Sequence, residues 1–329
     1  MSTILTDLSL QNFRNYTKRD FQFSGKTLIV GENGAGKTNV LEAIYLLATG
    51  KSFRADRDSE LLTYEQQFTI LKSQISNNNQ ISNLQITITD RKKFEVNGIS
   101  RRQMDFVGKL TAVLFAPQDL ELVTGSPSQR RKYLDFIICQ MDREYRRCLI
   151  SYEKGLRQRN KLLALIRDGL ANRTQLYFWD KLLIKNGDYI TLKRSEYLRT
   201  LSGDYTIEYD KSLISEERLK QYEVEEVAAV TTLVGPHRDD FVINYKNKNI
   251  SKYGSRGEQR MAVLWLKQGE INYLDGNPVL LLDDIFSELD SKHRKLVSDL
   301  IKNYSGQVIA TTADDHLLSE LSEYQIIRL

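Results

Sequence analysis

Gly31-Glu32-Asn33-Gly34-Ala35-Gly36-Lys37-Thr38 is a G-x-x-x-x-G-K-T run, and its spacing supplies what a chain of phosphates needs. The glycines let backbone N–H groups turn inward around the anion, Lys37 reaches the outer phosphoryl oxygens, and Thr38 offers a hydroxyl to Mg2+. The whole loop, including Glu32, Asn33 and Ala35, is the expected cradle for ATP. Such a site also needs acids. Val279 to Leu282 form an apolar run that ends in Asp283 and Asp284, the pattern of a buried parallel strand finishing in two carboxylates. Asp283 is expected to hold the metal through water, and Asp284 to orient or deprotonate the attacking water. Aspartate is one methylene shorter than the glutamate usual at the second position, so slow hydrolysis is expected. Gln118, closing the apolar run before it, is a further candidate for contact with metal or water.

A second polar group lies far downstream. Ser255 and Glu258 stand three apart at the start of an apolar helical pattern, which is a capping box. Met261, Val263, Leu264 and Leu266 are the residues expected to hold that helix to its own core. A P-loop, a following Gln, this Ser-x-Gly-Glu-Gln start and an apolar-Asp-Asp strand resemble the motif set of ABC-type ATPases, and the resemblance implies that Ser255, the Gly257 backbone and the helix dipole meet the γ-phosphate of a nucleotide bound by another molecule. Both roles can hold at once, because the capping geometry aims the N–H groups outward.

The elements that must position these groups follow from periodicity. Residues up to Val30 alternate as strands, and "NVLEAIYLLATG" has helical spacing that stops at Gly50. Strand-like pieces between Thr69 and Val113, with "TAVLF" as the last, predict an antiparallel sheet beside the nucleotide core. From about Ser128 to Leu201 there is no proline, and two long amphipathic stretches predict helices. The expected fold is therefore α/β: a P-loop ATPase head with a mixed sheet, in parts 1–125 and 203–329, interrupted by a mostly helical lobe at 126–202.

Charge is uneven along the chain. The net value is +4, yet Ser126 to Ser202 hold 17 Lys or Arg against 8 Asp or Glu, a balance of +9 against −5 elsewhere. A basic insert allows an anionic polymer as partner. Arg130, Arg131, Arg146, Arg147, Arg157 and Arg159, with Lys161, are the candidate phosphate contacts. No helix-turn-helix or zinc-finger pattern points to base readout. Cys139 and Cys148 lack the spacing of a metal or redox pair, and the three histidines are scattered. Without a signal-peptide pattern or an apolar stretch of about 20 residues, a cytoplasmic protein without membrane attachment is expected.

In order along the chain, "LSLQNFRNY", "GENGAGKTNVLEAIYLLATGKSFR", "LFAPQDLELVTGSPSQRRKYLD", "LVGPHRDDF", "SRGEQR", "LLLDDIFSELD" and "VIATTAD" resemble ABC-type ATPases. More specifically, they resemble the RecF family of bacterial recombination proteins. The resemblance implies two heads burying ATP between them, duplex DNA or single-strand/double-strand junctions as partner, and weak DNA-dependent hydrolysis as a release switch. It further implies work with RecR and RecO in loading RecA at gaps, in replication-fork repair and the SOS response. On the same resemblance Ser287 to Asp290 form the dimer-facing loop, and Thr312 or Asp314 the sensor. In "NFRNY" Arg14 is expected either near the nucleotide or in a structural role, and in "GPHRDD" His237 and Arg238 either line the cleft or fix their own loop. Gln118 stands where the family commonly has Glu, a departure that weakens its assignment.

Overall fold

The computed structural model describes residues 3–77, 80–284, 291–313 and 323–329. Ser287 to Asp290 and Asp314 lie outside the described residues. The chain divides into two compact units, Met1–Asp119 with Glu270–Leu329, and Leu120–Gly269.

In the first unit, β1 (Thr3–Phe13) puts Leu5, Leu8 and Leu10 on a buried face, with a register shift between Leu5 and Asp7. It pairs with β2 (Tyr16–Gln22), and β3 (Lys26–Val30) leads into the glycine-rich loop. The helix α1 (Lys37–Thr49) buries Val40, Leu41, Ile44, Leu47 and Ala48. It stops where Gly50, at φ 72°, donates its N–H to the Leu46 carbonyl at 2.8 Å. The strands β4 (Thr69–Asn77), β5 (Gln80–Ile88), β6 (Lys92–Val96) and β7 (Ile99–Arg101) complete an antiparallel sheet of order β2-β1-β4-β5-β6-β7. "TAVLF" does not join it. β8 (Ala112–Phe115) is buried throughout and pairs in parallel with Val279–Asp283. Its unbroken apolar run, without alternation, is the mark of a strand covered on both faces.

The long helices of the second unit are α2 (Pro127–Met141), α3 (Arg143–Arg167) and α4 (Tyr177–Thr200). The first amphipathic stretch breaks in two at Asp142, an extended residue whose carboxylate accepts the Tyr145 N–H at 2.9 Å and so starts α3. Gly155 permits close packing of α3 on α4, since a Cβ there would lie 2.6 Å from Leu182 Cδ2. The strands β9 (Tyr205–Asp210), β10 (Asp240–Tyr245) and β11 (Lys248–Asn249) form an antiparallel ribbon. The helix α5 (Arg256–Tyr273) starts in this unit and ends in the other. The unit thus extends well past residue 202, taking in the ribbon and Ser255.

A buried polar cluster ties these pieces together. Arg194, 2% exposed, donates to Asp239 at 3.0 Å, to Asp135 at 2.8 Å and to the Pro236 carbonyl at 2.7 Å. Asp239, wholly buried, also accepts from Tyr209 Oη at 2.5 Å and from Ser212 N at 2.8 Å. The "GPHRDD" segment is therefore an anchor within this unit. His237 donates from Nε2 to the Thr232 carbonyl (2.9 Å), so its Nδ1 accepts from Tyr152 Oη (2.8 Å). Burial holds the imidazole neutral, lowering its pKa from 6.5 to about 4. A base depressed on folding contributes stability that is complete above its unfolded pKa and lost as pH falls through the folded one. Unfolding by urea should therefore become easier between about pH 6.5 and pH 4, by on the order of 3 kcal/mol. His237→Gln should flatten that part of the profile, and an unchanged slope would count against the assignment.

The chain returns to the first unit with β12 (Val279–Asp283), α6 (Ser291–Asn303), β13 (Val308–Thr312) and β14 (Gln325–Arg328). With β3 and β8 they make a five-stranded sheet, order β14-β3-β13-β12-β8, every pairing parallel. Buried Gln307 fastens β1 to this side, accepting from Leu5 N and donating to Leu5 O, both at 2.8 Å. Since β3, β13 and β12 are consecutive and parallel, their C-terminal ends bring the glycine-rich loop, Thr311 and Asp283 side by side, the edge of such sheets where ligands bind. Among the described residues no helix is long and apolar enough to cross a membrane.

Candidate functional site

The loop after β3 turns sharply enough to need glycine. Gly36 sits at φ 106°, and a Cβ there would meet Tyr16 Oη at 2.6 Å and the Asn15 side chain at 2.7 Å. Asn15 donates to the Ala35 carbonyl at 3.2 Å and accepts from Asn39 at 2.9 Å. The turn between β1 and β2 thereby braces the loop from outside. Lys37, 7% exposed, donates from Nζ to the carbonyls of Gly31 (2.8 Å) and Glu32 (3.0 Å), which keeps its charge beside the loop. Thr38 Oγ1 donates to Asp283 Oδ1 at 2.8 Å, joining the start of α1 to the end of β12.

Asp283 is 5% exposed, and burial pushes its carboxyl up from the ordinary range, against hydrogen bonds from Thr38 and Thr311 that favour the anion. A carboxylate held at that cost gains from a cation beside it. Asp284 follows at φ 47°, a left-handed backbone conformation that aspartate tolerates better than most residues. Asn33, Gly34, Gly36, Lys37, Thr38, Asn39, Arg54, Asp283 and Asp284 line an open cavity of about 260 Å³. A lysine, a hydroxyl, two carboxylates and a turn of backbone form a donor set suited to a magnesium-bound phosphate chain.

Two expected residues are not at this cavity. Arg14 gives one guanidinium edge, Nε and Nη2, to the two oxygens of wholly buried Glu42 (2.9 and 2.6 Å) and donates from Nη1 to the Glu60 carbonyl at 2.7 Å. Gln118 is exposed in the turn Pro117–Leu120 and does not line the cavity. The arginine that does line it is Arg54, which donates to Asn39 Oδ1 at 2.9 Å and stands 3.7 Å from Glu42. Thr312 is buried on β13, whereas its neighbour Thr311 is the one bonded to Asp283, at 2.9 Å.

In the second unit, Ser255 is exposed and forms the expected capping box. Its N–H and Oγ both bond Glu258 Oε2 (2.8 and 2.9 Å), and Glu258 N reaches back to Ser255 Oγ at 3.3 Å. Bonding from Ser255, its backbone first, holds the Glu258 carboxyl below its usual range. Ala262 and Leu266 are the buried apolar residues of α5 in this unit, while Met261, Val263 and Leu264 are half-buried.

The family model described as the RecF/RecN/SMC N terminal domain matches residues 4–328. This chain belongs to that family. Within the RecF/RecN/SMC family, a protein of Roseiflexus castenholzii named DNA replication and repair protein RecF is 36% identical, covering 97% of this chain and 96% of its own. A protein of the same name from Leptospira interrogans is 35% identical, over 94% and 92%. A solved recombination mediator protein RecF with ATP superposes with TM-score 0.87 at 32% identity, covering 95% and 93%. An Smc head domain from Pyrococcus furiosus shares the fold, with TM-score 0.54 at 20% identity.

Family membership does not rescue every arginine expected on a nucleic-acid face. Arg130 is buried and bidentate on Asp240 (2.6 and 3.0 Å), Arg146 is buried and donates to the Cys139 carbonyl, and Arg159 is buried between Asp180, Glu226 and Thr232. Arg131 donates to the Asp239 carbonyl at 2.9 Å. Arg130, Arg146 and Arg159 are matched by acceptors as buried guanidiniums must be, and half-buried Arg131 is tied to the Asp239 cluster. Arg147 is partly exposed and paired with Glu144 at 2.6 Å. Arg157 and Lys161 are exposed on α3.

Proposed function

We propose that the chain is an ATP-binding protein of DNA replication and repair, in which ATP with Mg2+ brings two copies together on DNA and slow hydrolysis releases them. The observation that carries this reading is the Thr38–Asp283 hydrogen bond of 2.8 Å beside Lys37. It joins the phosphate loop after β3 to the acidic end of β12 across the one parallel strand between them, β13. Lys37 and the loop N–H groups would take the phosphates, Thr38 and Asp283 the metal, and Arg54 the remaining phosphate charge. Asp284 would orient the attacking water. Ser255 and Gly257, exposed or half-exposed at the start of α5, would complete the site on a second copy, and Arg147, Arg157 and Lys161 would meet DNA phosphates.

Support comes from the relatives named for DNA replication and repair and from the ATP-bound neighbour, a recombination mediator protein of the RecFOR pathway. Work alongside RecR, RecO and RecA, a part in the SOS response and a cytoplasmic location belong to the same reading. Duplex DNA should bind more tightly with Mg-ATP than without it, and with a log–log salt slope of roughly 0.9 per phosphate neutralised. Equal retention with and without Mg-ATP at low salt would remove the reading.

A further inference from the structure

Thr311 lies directly opposite Asp283 in the parallel register of β13 on β12 and is 1% exposed. It does not line the cavity. Its single hydroxyl proton has two acceptors in range, Asp283 Oδ1 at 2.9 Å and the Leu282 carbonyl at 3.4 Å. The shorter contact, to a carboxylate, is the stronger. The same Oγ1 accepts the N–H of Asp284 at 3.1 Å. One hydroxyl thus grips the side chain of the first acid and the backbone of the second. That second residue sits at φ 47°, a conformation that persists only when its surroundings fix it.

Among the described residues, both hydrogen bonds to the Asp283 carboxylate, from Thr38 and from Thr311, end on Oδ1. A carboxylate pinned through one oxygen from two sides has its plane set, with its other oxygen left for the metal or its water. On the reading proposed above, the Thr38 oxygen also faces the metal while its proton bonds Asp283. Thr311 serves the two acids alone.

We infer that Thr311 is a positioning residue for the magnesium site, orienting Asp283 through its side chain and Asp284 through its backbone. It touches neither nucleotide nor metal, and acts as an outer partner of a metal-holding carboxylate, the kind of group whose loss weakens metal affinity about ten- to a hundredfold. The inference rests on the proposed Mg-ATP function, and the experiment separates the two.

Labelled ATP is titrated into the full chain without metal and then across a Mg2+ series, for wild type, Thr311→Val and Thr311→Ser, with thermal melts recorded in parallel. Thr311→Val should raise the Mg2+ concentration of half-tightening about tenfold or more. Its metal-free ATP affinity should stay within about twofold of wild type, because the loop and Lys37 hold the phosphates without Thr311. Thr311→Ser, which keeps the hydroxyl, should restore the wild-type Mg2+ midpoint; a merely structural role would move melting temperature and leave that midpoint alone. Should Thr311→Val fail to fold, Thr311→Ala against Thr311→Ser gives the same comparison for one hydroxyl. A wild-type Mg2+ response that the hydroxyl-free variants leave unshifted overturns the role of Thr311 alone. A wild-type chain indifferent to Mg2+ overturns the proposed function and this role with it.

Discussion

Lys37→Ala is expected to weaken ATP binding about ten- to a hundredfold, the cost of removing a charge-assisted phosphate contact of about 1.5 to 3 kcal/mol. Lys37 Nζ rests on the carbonyls of Gly31 and Glu32, so its charge is already beside the phosphate loop and little reorganisation opposes its use. The same bonds mean that alanine also removes a brace from the loop. Lys37→Met, which keeps the aliphatic stem, separates the two effects: it should lose nearly as much affinity while leaving the melting temperature closer to wild type. Fluorescent-nucleotide titration measures both variants. An affinity within about threefold of wild type would mean that the loop does not use this lysine for phosphate.

Arg194→Leu should destabilise the second unit by about 3 to 5 kcal/mol, the range for breaking one side of a buried ion pair. Arg194 answers Asp239, Asp135 and a carbonyl at once, and Asp239 has no solvent to fall back on. Leucine fills part of the volume but leaves both acids facing an apolar side chain. Urea unfolding should show the loss, and Asp239→Asn in the same chain should recover part of it by removing the stranded charge. A loss below about 1 kcal/mol would show that water reaches the cluster or that the acids find other donors.

Much of the nucleotide site is legible in local sequence, because its chemistry is local. The loop from Gly31 to Thr38 is contiguous, and an apolar run ending in two acids marks its own strand end. Thr311 is invisible at that level. Its role depends on β13 lying between β3 and β12 with Asp283 opposite it, a register that neither strand encodes alone. The place of Arg14 is hidden for a related reason: only the fold shows that wholly buried Glu42 on α1 takes both donors of one guanidinium edge of Arg14, and that Arg54 lines the cavity.

The arginines of the second unit fail differently. Charge counting treats all of them as surface, yet Arg130 finds its partner 110 residues away. For Arg159 a local signal existed. It continues the helical spacing of Cys148, Tyr152 and Gly155, all buried on α3, whereas Arg157 and Lys161 fall on the exposed side. Periodicity applied to the arginines themselves would have separated the two groups. "TAVLF" carries a comparable signal, since a run without alternation belongs to a sheet covered on both faces.

On the proposed function, the Ser255 helix start serves a nucleotide held by a second copy. Sedimentation velocity of wild type and Ser255→Arg, each with Mg-ATP and duplex DNA, tests it most directly. Ser255 is exposed and its capping bonds are local, so the substitution should cost about 1 kcal/mol of helix stability and leave ATP binding by the single chain intact. Wild type is predicted to sediment as a dimer on DNA, and Ser255→Arg as a monomer with wild-type ATP affinity. A Ser255→Arg chain that dimerises as readily as wild type, or a wild type that stays monomeric, would contradict it.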